Sequence, residues 1–328
     1  MKLTKRPRRL RTNSAMRSLS QEHHVQISDL MLPIFVTEGE KVKQEISSMP
    51  GYYRYSLDMI GEELSEVAKL GIQAVLLFVK ADDELKDNKG TESYNPDGLM
   101  QRAIKKIKQE QPEILVFTDV ALDPYSSYGH DGIVEDGKIL NDETVDVLVK
   151  MAVSHAEAGA DLVAPSDMMD GRIGAIREGL DNAGFKDIGI MAYSAKYASC
   201  FYGPFRDALD SAPGFGDKKT YQMNPANVRA AEREIMLDIE EGADMVMVKP
   251  GLPYLDVVRA ASECSEVPVS VYHVSGEYAM IKAASEKGWL NESEAVMEVM
   301  LSFKRAGADL IATYFAKDVA KMILKKSS

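Results

Sequence analysis

Two lysines each close a run of apolar residues with the composition of a buried strand. Lys249 follows Met245–Val248, and Lys196 follows the run at 188–193 and the pair Ser194-Ala195. Such a lysine must either extend its ammonium group to water or stand in a functional site. Two neighbouring ammonium groups repel each other, which lowers the pKa of at least one toward neutrality. Neutral amines attack carbonyl groups, so the pair indicates Schiff-base chemistry, although residue types alone leave the carbonyl compound open.

The segment after Lys196 adds further cations. Residues 198–222 mix glycine, proline, aromatic and charged residues, for much of their length without a helical period. This composition predicts a long loop of the kind that closes over an active site, and a solvated surface loop is the alternative. Arg206 and the pair Lys218-Lys219 are suited to grip a carboxylate, the arginine through two parallel hydrogen bonds.

A short sequence motif, called a phrase below, recurs along the chain and links predicted helices to predicted strands. Helical stretches end in a glycine that permits a left-handed backbone, and a short apolar run follows. The four phrases are Leu70-Gly71-Ile72, Ala158-Gly159-Ala160, Glu241-Gly242-Ala243 and Ala306-Gly307-Ala308. Continuous apolar runs are typical of parallel strands buried on both faces. The predicted strands are Leu30–Val36, Ala74–Phe78, Ile114–Val120, Leu162–Ala164, Ile188–Tyr193, Met245–Val248, Val267–Val274 and Leu310–Ala312.

Helices are predicted between most of these strands. Ser56 is the expected N-cap of a helix reaching residue 70, Pro225 the expected first residue of another, and Asn291 the expected cap of a third. Eight β/α units predict a (β/α)₈ TIM barrel over residues 29–328, preceded by an extended N-terminal arm over residues 1–28. A doubly wound open sheet is the alternative, but no G-x-G-x-x-G follows the first strand.

The polar residues at the predicted strand ends are the candidate site, because barrel enzymes work at the carboxyl ends of their strands. They are Asp119, Asp123, His130, Asp131, Ser166, Asp167, Lys196, Lys249, His273, Ser275 and Tyr314.

Charge is unevenly distributed along the chain. Residues 1–20 contain seven lysines and arginines and no acid, so the −12 of the whole chain leaves −19 for the remainder. A basic arm is compatible with nucleic-acid binding, but the acidic body favours docking on a neighbouring subunit. The arm lacks the apolar segment of a signal peptide, and no apolar run is long enough to cross a membrane. Two cysteines, Cys200 and Cys264, exclude a disulfide framework.

Several motifs match one family in its own order. They are Met191–Ser199 (MAYSAKYAS), Phe201–Ala208 (FYGPFRDA), Met247–Gly251 (MVKPG), Ala164–Arg172 (APSDMMDGR) and Tyr272–Tyr278 (YHVSGEY). On these motifs the chain closely resembles the porphobilinogen synthase, or 5-aminolevulinate dehydratase, family from about Leu30 to Tyr314. The resemblance implies a cytoplasmic enzyme of tetrapyrrole biosynthesis that condenses two 5-aminolevulinate molecules to porphobilinogen with loss of two waters. It further implies an octamer built from arm-wrapped dimers, without an organic cofactor, a nucleic acid or a membrane as partner.

The resemblance also implies roles for individual residues. Lys249 matches the lysine that forms a Schiff base with the first-bound substrate, whose carboxylate would meet Ser275 and Tyr314. Lys196 matches the second lysine, which would hold the other substrate. Residues expected to grip that substrate's carboxylate are Arg206, Lys218 and Gln222. Residues expected to position the amino groups are Asp119 and Ser166.

The metal pattern departs from the zinc-dependent members, which carry three cysteines after the third strand. Ala121, Asp123 and Asp131 occupy those positions, so we expect no active-site zinc. Asp123 and Asp131 suit a hard ion such as Mg²⁺ or none, and Tyr128 stands where the aspartate-bearing members have another carboxylate. Glu234 matches the carboxylate that binds an activating, allosteric Mg²⁺ away from the active site. That expectation comes from the resemblance alone.

An aldolase acting on sugar phosphates is the alternative enzyme, since lysine-bearing barrels also perform that reaction. It needs one Schiff-base lysine and a phosphate site of backbone amides near the last two strands. The paired lysines and the cationic segment after Lys196 favour the condensation of two carboxylate-bearing substrates.

Overall fold

A computed structural model describes residues 3–209, 214 and 216–327. Their strands, numbered in chain order, are β1 (Leu30–Thr37), β2 (Lys43–Glu45), β3 (Tyr53–Tyr55), β4 (Ala74–Lys80), β5 (Leu115–Val120), β6 (Ile133–Glu135), β7 (Lys138–Leu140), β8 (Leu162–Pro165), β9 (Gly189–Lys196), β10 (Met245–Lys249), β11 (Val269–His273) and β12 (Leu310–Thr313).

Helices alternate with the longer strands. They are α1 (Ser14–Leu19), α2 (Ile60–Lys69), α3 (Leu99–Glu110), α4 (Asn141–Ala158), α5 (Arg172–Asn182), α6 (Gly203–Leu209), α7 (Arg229–Glu240), α8 (Leu255–Cys264), α9 (Ser275–Glu286), α10 (Glu292–Ala306) and α11 (Ala316–Ser327). Short 3-10 turns lie at Pro7–Arg11, Ile27–Asp29, Asp83–Leu85, Thr91–Tyr94, Cys200–Tyr202 and Leu252–Tyr254.

Eight of the strands form one closed parallel barrel. Their order is β1-β4-β5-β8-β9-β10-β11-β12, and β12 pairs with β1 through Leu30↔Ile311 and Met31↔Ala312. No edge of this sheet stays unpaired, so each of the eight strands has a hydrogen-bonded neighbour on both sides. The predicted (β/α)₈ barrel is therefore confirmed, and the open doubly wound sheet is excluded.

Local sequence explains why the strands begin where they do. The central glycines of the four phrases, at positions 71, 159, 242 and 307, have φ between +75° and +110°. Glycine enters this left-handed region without the steric cost that a Cβ imposes, so each helix stops there and the chain turns into the barrel. The strands that follow are buried along nearly their whole length, as their continuous apolar sequence predicts.

Two predicted helix starts are wrong. The first helix begins at Ile60, because the Ser56 hydroxyl donates to Asp58 and accepts the amide of Val42 instead of capping. The helix after Pro225 begins only at Arg229, because the Asn224 side chain accepts the amide of Ala226 in a local turn. The predicted cap at Asn291 is confirmed, since its side chain accepts the amide of Glu294 at 3.1 Å.

The predicted loop at 198–222 contains a helix. Residues 203–209 form α6, held from outside: the Ser275 hydroxyl accepts the amide of Phe205 at 2.9 Å, and Arg54 on β3 donates to the carbonyl of Ala208 at 2.9 Å. The strand pairs β2–β3 and β6–β7 are further additions that the sequence patterns did not indicate.

The N-terminal arm meets the barrel core at its end, where Val25 and Ile27 pack against the core as partly buried side chains. Its described residues form the 3-10 turn at Pro7–Arg11 and helix α1, neither of which has a buried residue. None of the described helices combines the length and the apolar composition needed to span a bilayer.

Candidate active site

Polar residues predicted from the sequence gather at the carboxyl end of the barrel. Each belongs to a different strand end: Asp119 in β5, Ser166 after β8, Lys196 in β9, Lys249 in β10, Ser275 after β11 and Tyr314 after β12. Parallel strands bring these positions to one edge because all their carboxyl ends point the same way.

The two lysines are neighbours across the sheet. Lys196 and Lys249 are register partners on β9 and β10, and their residues are only 6% and 4% exposed. A pair of lysines this deeply buried is unusual for a folded protein and marks the site for chemistry.

Aromatic rings surround the amine of Lys249. The distances from its Nζ to ring centroids are 4.5 Å for Tyr272, 4.6 Å for Phe205, 5.2 Å for Tyr193 and 5.3 Å for Tyr202. Such ring faces attract an ammonium by up to about 2 kcal/mol, whereas burial lowers a lysine pKa by as much as about 5, worth roughly 7 kcal/mol. Burial therefore dominates and, with the nearby charge of Lys196, lowers the pKa of Lys249 to about 7.

Lys196 lies in polar surroundings. Its Nζ donates to Asp131 Oδ2 at 3.0 Å and to the backbone carbonyl of Ser166. Lys196 thus has a carboxylate partner and a carbonyl partner, whereas Lys249 is surrounded by aromatic rings.

The carboxylate of Asp131 also pairs with Lys218, a lysine in the segment after β9. Lys218 Nζ lies 2.6 Å from Asp131 Oδ1 and 3.2 Å from Asp123 Oδ2. Burial would raise the pKa of Asp131, but Lys196 and Lys218 outweigh it and lower the value to about 2. Burial likewise opposes the charge on Lys218, yet the two aspartates raise its pKa above the usual range.

Asp119 is the titratable acid of the site. Burial, together with the charge of Asp123, raises its pKa to about 7, although the Ser166 hydroxyl donates to its Oδ1 at 2.7 Å. A carboxyl with this pKa exchanges protons readily at neutral pH, as a general acid or base must.

The hydroxyl groups of Tyr314 and Ser275 lie at the two remaining strand ends of the site. Tyr314 and Tyr272 share a hydrogen bond of 3.0 Å between their hydroxyl groups, and the Ser275 hydroxyl accepts the amide of Phe205. The fully buried Tyr193 hydroxyl, by contrast, has no hydrogen-bond partner within the described part of the chain.

The predicted carboxylate-gripping residues close over the lysines. Arg206, Lys218 and Gln222 line one cavity with Lys196 and Lys249, and the side-chain oxygen of Gln222 is buried without a partner among the described residues. The free volume is about 20 Å³, enough for about one water molecule. A cavity of this size is too small for a molecule of substrate size.

Glu234 lies elsewhere. It is half-buried on α7 and lines a separate cavity of about 810 Å³, with His130, Asp170 and Tyr221. Burial raises its pKa; Arg172 opposes this shift, and the neighbouring carboxylates of Asp238 and Asp170 reinforce it. The structure thus separates the candidate remote site from the lysines.

The two candidate metal positions differ in their fit to a cation. No group of three or more His, Cys, Asp or Glu residues gathers within the described ranges. Asp123 and Asp131 do not fit a metal in this arrangement, because the Lys218 ammonium already lies between them. Glu234 fits a hydrated Mg²⁺, since its cavity is roomy and Asp238 Oδ2, which acts on it electrostatically, is buried without a partner among the described residues.

The sequence analysis assigned no roles to Tyr193, Tyr202 and Phe205, which cover Lys249. For Tyr202 and Phe205 the sequence contained a helical signal, because residues 202, 205 and 206 follow the i, i+3, i+4 spacing of one helical face. Glycine and proline at 203–204 concealed it, because they are typical of loops.

A closed barrel with two buried lysines paired at adjacent strand ends defines the class: a (β/α)₈ enzyme whose site lies at the carboxyl ends of the strands. The family model of delta-aminolevulinic acid dehydratase matches residues 4–322, and the chain belongs to that family. The family resemblance of the strand-end motifs is thereby confirmed.

Bacterial and plant relatives match along nearly the whole chain. Delta-aminolevulinic acid dehydratase of Halalkalibacterium halodurans is 53% identical over 320 residues, covering 97% of both chains. The Bacillus subtilis protein is 51% identical over 318 residues, covering 97% of this chain and 98% of the relative. The chloroplastic protein of Physcomitrium patens is 55% identical, covering 97% of this chain and 74% of the relative.

A solved structure shares the fold closely. Delta-aminolevulinic acid dehydratase (porphobilinogen synthase) of Toxoplasma gondii, in complex with the reaction product porphobilinogen, superposes with a TM-score of 0.97. It is 57% identical and covers 98% of this chain and 92% of its own.

Proposed function

We propose that this chain is a porphobilinogen synthase that condenses two 5-aminolevulinate molecules to porphobilinogen, with loss of two waters, for tetrapyrrole biosynthesis. The observation that carries the proposal is the register pairing of Lys196 with Lys249 in a chain of this family. A sugar-phosphate aldolase would need only one of these lysines.

Lys249 starts the reaction as a nucleophile. With a pKa of about 7, about half of its amine is neutral at pH 7, against roughly 0.04% for an ordinary lysine. The neutral amine attacks the ketone of the first substrate, and the adduct takes up one proton and loses one water. The product is an iminium that is more electrophilic than the ketone. Tyr314 and Ser275, at the adjacent strand ends, are the proposed partners of that substrate's carboxylate.

Lys196 holds the second substrate through its own Schiff base. Its amine must first release a proton, and Asp131 and the Ser166 carbonyl orient it meanwhile. An iminium at Lys196 acidifies the neighbouring carbon. After losing a proton this carbon attacks the iminium carbon of the first substrate, and the electron pair of that C=N bond moves to the Lys249 nitrogen. Asp119 and Ser166 position the amino groups, and Asp119 has the pKa needed to take up a proton.

Two cations and one amide at the closed side of the site bind the second carboxylate. Arg206, Lys218 and Gln222 line the cavity beside Lys196. In the substrate-free arrangement Lys218 is neutralised by Asp123 and Asp131, so an incoming carboxylate replaces part of that contact. Two copies of one substrate thereby take different orientations, as the asymmetric product requires.

An activating Mg²⁺ belongs to this proposal at Glu234, remote from the lysines. Glu234 would hold the ion, with Asp170 and Asp238 close enough to act on its carboxyl electrostatically. Mg²⁺ retains several waters when few carboxylates bind it, which suits this open cavity. The ion would supply fixed positive charge among these carboxylates and no step of the condensation.

Assembly and location complete the proposal. The basic arm is proposed to wrap a second copy of the acidic body and build an octamer, which its exposed, unpacked turns would permit. A cytoplasmic location is proposed in line with the bacterial relatives, whose names carry no organelle, whereas the moss relative is chloroplastic.

Borohydride reduction in the presence of 5-aminolevulinate, followed by peptide mass mapping, tests the function. We expect a substrate-mass adduct on Lys249 and formation of porphobilinogen in the unreduced reaction. Absence of the adduct together with full activity in Lys249→Arg would contradict the mechanism. An adduct formed only with a ketose phosphate would instead support the aldolase.

A further inference from the structure

Glu277 is a carboxyl group buried inside the site wall with no role in the chemistry described above. It is 0% exposed and lies in the first turn of α9, two residues after Ser275. Besides burial, the groups that act on its carboxyl are backbone N–H groups of Val274, Leu252 and Gly251. A buried carboxyl without a cation is costly, and an apolar side chain would fill the same space at lower cost.

Both oxygens of this carboxyl are used. Oε2 accepts the amide of Val274 at 2.6 Å, and Oε1 accepts the amide of Leu252. The contact to Val274 caps the helix to which Glu277 belongs, and one oxygen suffices for that purpose. The contact to Leu252 reaches another loop, the one that follows β10, and capping does not explain it.

The two amides flank functional residues of neighbouring strand ends. Leu252 follows Lys249 by three residues, and Val274 directly precedes Ser275. Tight packing surrounds both loops: a Cβ at Gly276 would lie 2.5 Å from the carbonyl oxygen of Phe201, and one at Gly251 would lie 2.7 Å from the ring of Phe303. Neither loop can shift without disturbing these neighbours.

Tyr202 and Phe205, which cover the Lys249 amine, are hydrogen-bonded to residues at the start or end of the same two loops. The Tyr202 hydroxyl donates to the carbonyl of Lys249 at 3.0 Å, and the Ser275 hydroxyl accepts the amide of Phe205 at 2.9 Å. A change in spacing between the loops would therefore displace the rings that cover the Lys249 amine.

We propose that Glu277 is a positioning residue, whose two oxygens set the spacing between the Lys249 amine and the Ser275 end of the site. This inference rests on the proposed function, because Lys249 and Ser275 hold opposite ends of the first substrate in it. Glu277 touches no substrate; it acts through the two loops that it ties together. Misplacement of a reacting group by about 1 Å costs up to about a hundredfold in rate.

Three variants test the proposal. In Glu277→Gln the amide oxygen can accept only one of the two N–H groups, and in Glu277→Asp the shorter side chain reaches only one loop. Glu286→Gln changes an exposed carboxylate on the same helix and is the matched control. For each, borohydride trapping with saturating 5-aminolevulinate gives the rate constant of adduct formation at Lys249 and the final fraction of chains modified.

A positioning role of Glu277 changes the trapping rate constant and KM, whereas a purely structural role changes the fraction of chains that can be modified. We expect both Glu277 variants to lower the trapping rate constant by about tenfold to a hundredfold and to raise KM, while Glu286→Gln behaves as wild type. A smaller modified fraction at an unchanged rate constant and KM would mean that Glu277 only maintains the fold, which overturns the proposal. If the wild-type protein itself forms no adduct, the proposed function fails instead.

Hydrogen exchange on the wild-type protein decides the matter if neither variant folds. The amides of Leu252 and Val274 should exchange at least about a hundredfold more slowly than unprotected loop amides, and more slowly still with porphobilinogen bound. Fast exchange at either amide would show that the two-oxygen contact does not persist, and the proposal would be rejected.

Discussion

Lys249 and Lys196 lie side by side at the ends of β10 and β9, but the amine of Lys196 has polar neighbours and the amine of Lys249 has aromatic ones. Lys196 donates to Asp131 at 3.0 Å and to a backbone carbonyl, whereas Lys249 faces four aromatic rings. The charged amine of one therefore helps to keep the other neutral, because like charges at short distance disfavour each other. Two residues of the same type thus take different roles through their surroundings.

The pH dependence of adduct formation follows from this difference. Because the pKa of Lys249 is lowered to about 7, the reactive neutral amine disappears as pH falls below that value and is complete above it. The rate of borohydride-trapped adduct formation should therefore rise through pH 7 and level off, measured from pH 5.5 to 9. Lys249→Arg should lower activity by about a thousandfold or more. A rate that still climbs toward pH 10 would contradict the assignment.

Phe205 is expected to control that pKa. Its ring lies 4.6 Å from Lys249 Nζ and contributes to the burial of the amine. In Phe205→Ala, water can solvate the ammonium form, so the pKa of Lys249 should rise and the rate profile should move about one pH unit upward. Phe185→Ala, which removes a ring between α5 and β9, should leave the profile in place.

An opposite shift is expected when Asp119 becomes neutral. The negative charge of Asp119 favours the ammonium form of Lys249. In Asp119→Asn the pKa of Lys249 should fall and the profile should move to lower pH, with a lower overall rate from loss of the acid–base group. Shifts of the same sign in Phe205→Ala and Asp119→Asn would show that these groups do not set the amine's pKa as argued.

Much of the barrel could be predicted because its signals are local. Continuous apolar runs located all eight barrel strands to within a few residues, and the helix-ending glycines located the turns. Helix α6 was not predicted, because glycine and proline at 203–204 favour a loop and conceal the helical spacing of residues 202, 205 and 206. Distant groups also hold this helix in place. The Ser275 hydroxyl binds its backbone from 70 residues away.

The charge network at the site illustrates the same limit. From the sequence, Asp131 is a candidate metal ligand and Lys218 a substrate contact, each considered alone. In the fold they pair with each other at 2.6 Å across 87 residues of chain. Sequence patterns identify which residue types reach the barrel's end, but only tertiary structure determines which charges neutralise one another.

Stability should depend on the Lys218 pair. In Lys218→Met, Asp123 loses its ion-pair partner and Asp131 keeps only Lys196, so we expect the free energy of unfolding to fall by about 2 kcal/mol. Denaturant titration measures the loss, and KM for 5-aminolevulinate should rise as well. Lys219→Met is the matched control, because its pair with Asp217 is exposed to solvent and should contribute little to stability. Equal losses in both variants would contradict the importance of the buried pair.

Magnesium should stabilise the protein through Glu234. An ion that binds the folded state at a hundredfold excess over Kd adds about 2.7 kcal/mol, or roughly 5 °C in melting temperature. Differential scanning calorimetry with and without Mg²⁺ measures this shift. It should vanish in Glu234→Ala and persist in Glu240→Ala, which changes an exposed carboxylate on the same helix. A Mg²⁺ response that survives in Glu234→Ala would place the ion elsewhere.

Deleting residues 1–20 should break the assembly. The segment carries +7 and the rest of the chain −19, so we expect it to bind a second copy of the acidic body. Light scattering coupled to size-exclusion chromatography should show smaller species for the truncated chain, with folding of the barrel retained. Nucleic-acid affinity should stay at background in both forms, because the proposed contact with a second copy would occupy the arm. Steeply salt-dependent binding that the deletion abolishes would instead identify a nucleic-acid tail. A truncated chain that remains a full octamer would show that the barrels associate without the arm.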